Sequence, residues 1–363
     1  MANIPGTYRY LRYGSPDGWV GIDTSSRCQL NCPLCFRVYS GLKDKFEKVV
    51  GDGYVKFDDF RSLIDKNPWI SNIEISNNGE IFLNPELKDI IRYAYERGIA
   101  LYAGGGVNLN YMSEDMAESL VKYKVRHLRV SLDSATPEIY KIYRVNGDFN
   151  RVISNVKEIN RYKRKYNSEF PYMTWQFVIF GHNEHELPIA RKKATELGMS
   201  FLPVLNAQFW DPPYSPVIDR EFVKKETGIN ITSQADFKTA YKDRYCNMCT
   251  QLWVRPQINW DGKLLGCCWN TYGDYGNVFD RGLTDCLKSE KYLYTKRMLL
   301  GLEKVRGDIP CASCHIFKDR STARMRETIG FLGVIDSLTK VKVPPVRTSA
   351  KPANISPRIP SCK

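Results

Sequence analysis

The stretch TSSRCQLNCPLCFRVYSG, residues 24–41, decides how the rest of the chain is read. It sets Cys28, Cys32 and Cys35 in one short loop with the spacing Cys-x3-Cys-x2-Cys, and Pro33 stiffens the turn between the last two. The opening MANIPGTYRYLRYGSPDGW lacks the basic-then-apolar-then-small layout of a signal peptide, and no run of eighteen apolar residues occurs. The expected compartment is the reducing cytosol, where eleven cysteines, an odd count, serve metals or catalysis better than disulfides.

Outward from that loop, short β-branched runs alternate with helical stretches. WVGIDTS (19–25) reads as a strand, FDDFRSLIDKN (57–67) as a helix and ISNIEIS (70–76) as the next strand. The series continues through a helix from Pro85, a strand in IALYAGG, a helix opened by Ser113 and a strand in RHLRVSL. A helix over 151–165, a strand in YMTWQFVIF, a helix stopped by Gly198 and a strand in SFLPVL complete it. Strands joined by helix-length crossovers run parallel. Six such units predict an α/β fold, a partial (β/α)6 TIM-like barrel over residues 19–206 whose chemistry sits at the C-terminal strand ends. Residues 1–18 read as an extension too short for a leader-binding domain, 207–244 as an aromatic and proline-rich linker, 245–320 as a small cysteine-rich domain and 321–363 as a basic tail.

A four-iron cluster is normally held by four thiolates, so three from one loop leave one iron open to chelate a small molecule and pass it an electron. Placed after the first strand of a six-fold βα series, CQLNCPLCF, with aromatic Phe36, resembles the signature loop of radical S-adenosylmethionine (SAM) enzymes. The resemblance implies a [4Fe-4S] cluster on Cys28, Cys32 and Cys35 that cleaves SAM to methionine and a 5′-deoxyadenosyl radical. Gly79 and Glu80 in SNNGEIF are similar to the motif that holds the SAM ammonium, although Asn78 stands where many members have glycine. GGGVN (104–108) resembles the family's small-residue turn, which needs close backbone approach. VSLDSATPEIYKIYR resembles the segment contacting the SAM ribose and carboxylate. It nominates Ser131 and Asp133, on one side of a strand by their spacing of two, and Arg144; capping and surface roles are the bland alternatives.

Cys249, then twelve residues, Gly262, four more and Cys267, followed later by Cys311 and Cys314, is similar to the start of the SPASM domain and the shorter twitch domain. The resemblance implies an auxiliary [4Fe-4S] cluster on those four cysteines, one only, because HIFKDRSTARM lacks the further cysteines of a complete SPASM domain. INWDGKLLGCCWN reads as a hairpin turning at Asp261-Gly262, a type I′ pair. Cys246 with Cys249, Cys311 and Cys314 also suits a four-thiolate zinc site, and CASCH matches a c-type haem attachment motif. Cys268 is expected to support the hairpin and Cys362 to be incidental. Cys246 and Cys286 are candidate hydrogen-atom donors, or buried structural thiols.

The expected function is that of a radical SAM oxidoreductase performing a net oxidation, a dehydrogenation or a crosslink, on a small molecule or a peptide. It would be fed by an external one-electron reductant such as flavodoxin or ferredoxin. An epimerase or a ribosomal-peptide maturase is the alternative within the family; a zinc protein binding nucleic acid through its basic tail is the alternative outside it. Of the net charge of +13, +6 sits in the tail, where residues 321–363 hold eight Lys/Arg against two Asp/Glu. It is consistent with an anionic substrate, while membrane and nucleic-acid partners are not expected. The aromatic stretch from Phe209 to Tyr214 is the expected place for substrate contacts, or a packed linker.

Overall fold

A computed structural model describes residues 18–205, 214–229 and 249–318, with Thr232 and Asp236. β1 (Trp19–Ile22) leads to α1 (Ser40–Val49) and α2 (Phe57–Lys66), then β2 (Asn72–Glu74), α3 (Leu87–Glu96), β3 (Ala100–Val107) and α4 (Glu114–Lys122). β4 (His127–Ser131), α5 (Pro137–Tyr143), α6 (Phe149–Lys165), β5 (Tyr172–Ile179), α7 (Leu187–Glu196), β6 (Ser200–Leu205) and α8 (Arg220–Thr227) follow. Later come a short helix (Gln251–Val254), strand β7 (Gln257–Ile258) and helices that include Leu283–Lys288 and Glu290–Leu299.

Consecutive strands lie side by side in the order β6-β5-β4-β3-β2-β1-β7, and every pairing is parallel. This is the open, barrel-like sheet that helical crossovers dictate. Pro203, which has no N–H to give a ladder, sits on β6, an outer strand of the described sheet. The strands are not apolar on both faces. Val20, Ile22, Ile73, Ile75, Leu128, Val130, Trp175 and Phe177 enter the core, whereas the alternating Glu74, Arg129, Ser131 and Gln176 fall on the opposite face.

Four features, besides the glycine run, depart from the expectations. α1 has no counterpart in the predicted series. α8 occupies part of the stretch expected as linker; Asp219 caps it by accepting from Phe222 N at 2.9 Å, and Gly228 closes it in the left-handed region. β7 pairs with β1, so the sheet crosses the expected boundary at residue 245. The turn at Gly262 is not type I′, since Gly262 alone of the pair has positive φ (+87°). Gly262 N donates to Asn259 O and Asn259 N to Lys263 O, a three-residue loop with glycine last.

The glycine run is strand rather than turn. Residues 104–106 lie inside β3, where the register to β4 shifts between Ala103 and Val107. A Cβ on Gly105 would stand 2.0 Å from Ser76 O, which shows how closely β2 and β3 approach there. Gly105→Ala should lower stability by about 1–3 kcal/mol, measured by chemical denaturation of the anaerobic protein; an unchanged midpoint would mean that β2 moves aside freely.

Candidate active site

The cysteine loop leaves the C-terminal end of β1 with little regular structure of its own. Cys35 N donates to Cys32 O (3.0 Å), and Val38 N and Tyr39 N both donate to Cys35 O, so the last two cysteines share one tight turn. Cys32 is buried. Arg144 Nη1 donates to Cys32 Sγ at 3.5 Å and Asn108 Nδ2 to Cys28 Sγ at 3.7 Å. Burial, then the charge of Glu80, then the neighbouring Cys32 and Cys35 push the Cys28 thiol up to about 12. A metal cation at the loop removes that cost by taking the thiolate.

The glycine-glutamate motif lies directly beneath the loop. Gly79 has φ +69°, and a Cβ there would fall 2.5 Å from Arg27 O, so only glycine lets the two backbones meet. Glu80 is buried, its N–H donates to Arg27 O (2.6 Å), and its Oε2 accepts from Asn108 N (2.6 Å). Asn108, which the sequence reading quoted only as the end of a glycine turn, joins Glu80 to Cys28.

Ser131 ends β4, but Asp133 does not share its face by strand alternation: Asp133 has left β4 and is left-handed at φ +56°. Its carboxylate is engaged, Oδ2 by Arg144 Nε at 2.7 Å and Oδ1 by Val178 N at 2.7 Å. Arg144, far from being a surface arginine, is buried between Asp133 and Cys32. Ser131 Oγ is buried with no hydrogen-bond partner among the described residues. Phe36 stacks edge-on against Trp269, centroids 4.8 Å apart, and so joins the loop to the C-terminal segment. Of the 209–214 stretch only Tyr214 is described; its ring packs near Tyr143, Phe180 and His182, and Cys32 acts on both tyrosines electrostatically.

In the C-terminal segment Cys267, Cys311 and Cys314 lie close enough that the latter two, after burial, raise the pKa of the first. Tyr275 Oη lies 3.5 Å from Cys311 Sγ. Cys249 is buried two residues before Gln251, whose Oε1 accepts from Cys268 N at 2.8 Å. Cys268 is disulfide-bonded, where the sequence favoured metals or catalysis over disulfides as the use of the cysteines. Cys286 is buried, its Sγ donates to Asn277 O at 3.5 Å, and the charges acting on it are Arg281, Asp285, Asp274 and Asp280, none of them at the cysteine loop. Cys246 and Cys362 lie outside the described residues. Among the described residues no three His, Cys, Asp or Glu converge as on a single ion; a four-iron cluster instead spreads its thiolates over separate irons.

Asp23, at the end of β1, was not anticipated. It is fully buried, and burial pushes its pKa to about 7 despite donations from Asn78 N (2.9 Å) and Asn78 Nδ2 (3.1 Å) and contacts with Asn77 and Gln257. The folded state holds this proton more tightly than the unfolded one, so the stability it contributes is intact below pH about 4 and is lost as pH rises to about 7, by at most roughly 4 kcal/mol. Denaturation between pH 4 and 8 should show that decline in the wild type and lose it in Asp23→Asn; an identical slope in both would refute the assignment to Asp23.

Residues 22–190 match the model of the radical SAM superfamily. No curated protein matches the sequence. Among solved structures, Streptococcus suis SuiB bound to its precursor peptide SuiA aligns with a TM-score of 0.58 at 13% identity, covering 89% of this chain and 75% of that one. SuiB bound to S-adenosylmethionine aligns at 0.56 and 14% identity with the same coverage. BtrN in complex with AdoMet and 2-DOIA aligns at 0.43 and 12% identity, over 77% of this chain and 86% of that one. At such identities the SuiB likeness is one of fold, and it agrees with the parallel sheet described above. Residues 22–190 are thus similar to the radical SAM superfamily model, and they include Cys28, Cys32 and Cys35 in the loop that follows the first strand.

Proposed function

We infer that the protein is a radical SAM enzyme whose Cys28, Cys32 and Cys35 hold a [4Fe-4S] cluster and whose half-barrel opening holds SAM. The observation that carries this is the donor set: three clustered thiols, two of them already faced by N–H donors from Asn108 and Arg144, above the buried carboxylate of Glu80. When bound and reduced, the cluster supplies the electron that splits SAM into methionine and a 5′-deoxyadenosyl radical. The chain's own work is positioning and exclusion of water. Glu80 and the Gly79 backbone take the SAM ammonium, Phe36 flanks the cluster, and Ser131 offers its hydroxyl to SAM. Asp133 serves by fixing Arg144, which lies against Cys32.

We read residues 19–206 as the catalytic core and 245–320 as a SPASM- or twitch-like segment in which Cys249, Cys267, Cys311 and Cys314 hold an auxiliary [4Fe-4S] cluster. Three of those thiols lie within electrostatic reach of one another in a buried setting, which supports the reading. A cluster held by these cysteines would supply an electron acceptor, so a net oxidation of a small molecule or peptide is the favoured reaction, with flavodoxin or ferredoxin as the reductant. Cys286, already donating to the Asn277 carbonyl, takes a structural role in this scheme.

Anaerobically isolated protein should contain about eight irons per chain and release 5′-deoxyadenosine from SAM when reduced. Cys32→Ala should abolish that release, and Cys267→Ala should lower iron to about four while SAM cleavage persists. Normal SAM consumption by Cys32→Ala would sink the assignment of the loop; wild-type protein with about four irons and one zinc would overturn the auxiliary cluster alone.

A further inference from the structure

Charge does not balance on the inner face of the half-barrel. Glu74 at the end of β2, Arg129 on β4 and Arg255 just before β7 meet there. Arg255 Nη1 lies 3.6 Å from Glu74 Oε2, and Arg129 sits in the fields of both. Gly104 makes the meeting feasible, since a Cβ on it would stand 2.9 Å from Glu74 Oε2. The Glu74 carboxylate is already well supplied: Ser76 N, Ser76 Oγ, Gly104 N and Gly105 N all donate to Oε1, and Gly104 N also reaches Oε2. Two guanidiniums therefore share one carboxylate that has little left to accept.

Glu74 and Arg255 are the two charges that act on Arg129. His127, beside Gly104, is neutral at physiological pH, because burial and Arg129 push its pKa down to about 4; its Nε2 contacts Thr174 Oγ1 at 2.9 Å. Arg129 Nε is buried with no hydrogen-bond partner among the described residues. Further along the same wall, Ser131 Oγ and Gln176 Oε1, on register partners of β4 and β5, are also buried without hydrogen-bond partners among the described residues. A buried cation without a counter-ion is costly, and a planar guanidinium pair is suited to grip an oxyanion from two sides.

We propose that Arg129 and Arg255 form the anchor for an oxyanion of the substrate, a carboxylate or a phosphate, on the inner face of the half-barrel. Ser131 lies two residues nearer the C-terminal strand ends than Arg129, a rise of about 7 Å. The anion thus secures the end of the substrate away from the cysteine loop and leaves the rest directed toward it, with Gln176 Oε1 accepting from an N–H or O–H on the way. Substrates that are cationic or wholly apolar at that end are rejected, because they leave two guanidiniums on one carboxylate. The substrate role of this site rests on the radical SAM reading; the anion site itself does not.

The test is calorimetric titration of the anaerobic full-length holoprotein with inorganic phosphate and, separately, with acetate. The wild type should bind at least one of them saturably, and Arg129→Gln and Arg255→Gln should each weaken that binding about tenfold or more, with iron content unchanged. Arg129→Lys should retain part of the affinity, and the tighter of the two probes identifies the substrate's anion as phosphate or carboxylate. Should Arg129→Gln fail to fold, Arg255→Gln and Arg129→Lys carry the comparison. Failure of both anions to saturate the wild type, or wild-type affinity in the glutamine variants, overturns the proposal. Wild-type protein that binds anions at these arginines but holds no iron would instead count against the radical SAM reading and leave the anion site standing.

Discussion

The cysteine loop has almost no secondary structure to shape it, so its form is imposed by the elements it is tied to, and the remainder of the fold is arranged around those ties. Glu80 N holds Arg27 O from below, and Asn31 N reaches Val145 O from the side. Arg37 bonds Ser26 O and, at 3.0 Å, Asp52. Arg144, itself fixed by buried Asp133, holds Cys32. The ties come from the end of β2, from the segment after α5 and from the turn after α1, and several depend on burial, where a hydrogen bond is stronger and its loss more expensive. A loop held at so many points keeps three thiols together before any metal arrives, which reduces the ordering cost that metal binding would otherwise have to offset.

The C-terminal segment belongs to the same structure. β7 extends the sheet beyond β1, and Gly21 makes room for it, since a Cβ there would stand 2.2 Å from Gln257 Oε1. Asn259 Nδ2 and Trp260 Nε1 both donate to Val50 O at 2.8 Å, satisfying a carbonyl at the end of α1 that the helix cannot use. Phe46, Val50 and Leu265 close a small apolar cluster against Phe36. α1 is thereby clamped between the cysteine loop and the hairpin. A disturbance of the hairpin has a packed route to the loop through Trp269 and Phe36.

The periodicity of the sequence sufficed for the six βα units and their parallel order, because each strand carries its own alternation and each helix its own apolar stripe. It missed what depends on contacts distant in sequence. β7 is two residues long and is recognisable only by its partner β1. The glycine run was readable as a close approach but not as a bulge within β3, since the register shift depends on β4. At the site, the cysteine spacing pointed to the loop directly. Asp133 was read by strand alternation and failed that test, because Asn183 Nδ2 and Arg144 hold it after the chain has turned left-handed. Asp23, Glu74, Arg129 and Arg255 carry no local motif. Their signal is weaker: polar residues at the alternating positions of strands otherwise rich in Ile, Val and Leu, which in a parallel sheet is unusual enough to mark an inner face that is not packed by apolar side chains.

That polar face has a further consequence for the fold. A closed barrel fills its interior with stacked aliphatic side chains. Here Glu74, Arg129, Ser131, Thr174 and Gln176 take inward positions beside Tyr102 and Leu202, so the sheet gains less hydrophobic energy from its concave side than a closed barrel would and leans more on the helical side. The concave side is then free to be specified by charge and hydrogen bonding. Glu74 is held in place by backbone N–H groups of the adjacent glycine-rich strand rather than by the arginines that face it. Those N–H groups reach Glu74 because no side chain intervenes at residues 104–106. The same run of glycine that admits β2 to β3 therefore fixes the Glu74 carboxylate, and with it the uneven ratio of positive to negative charge beside which a substrate would be held.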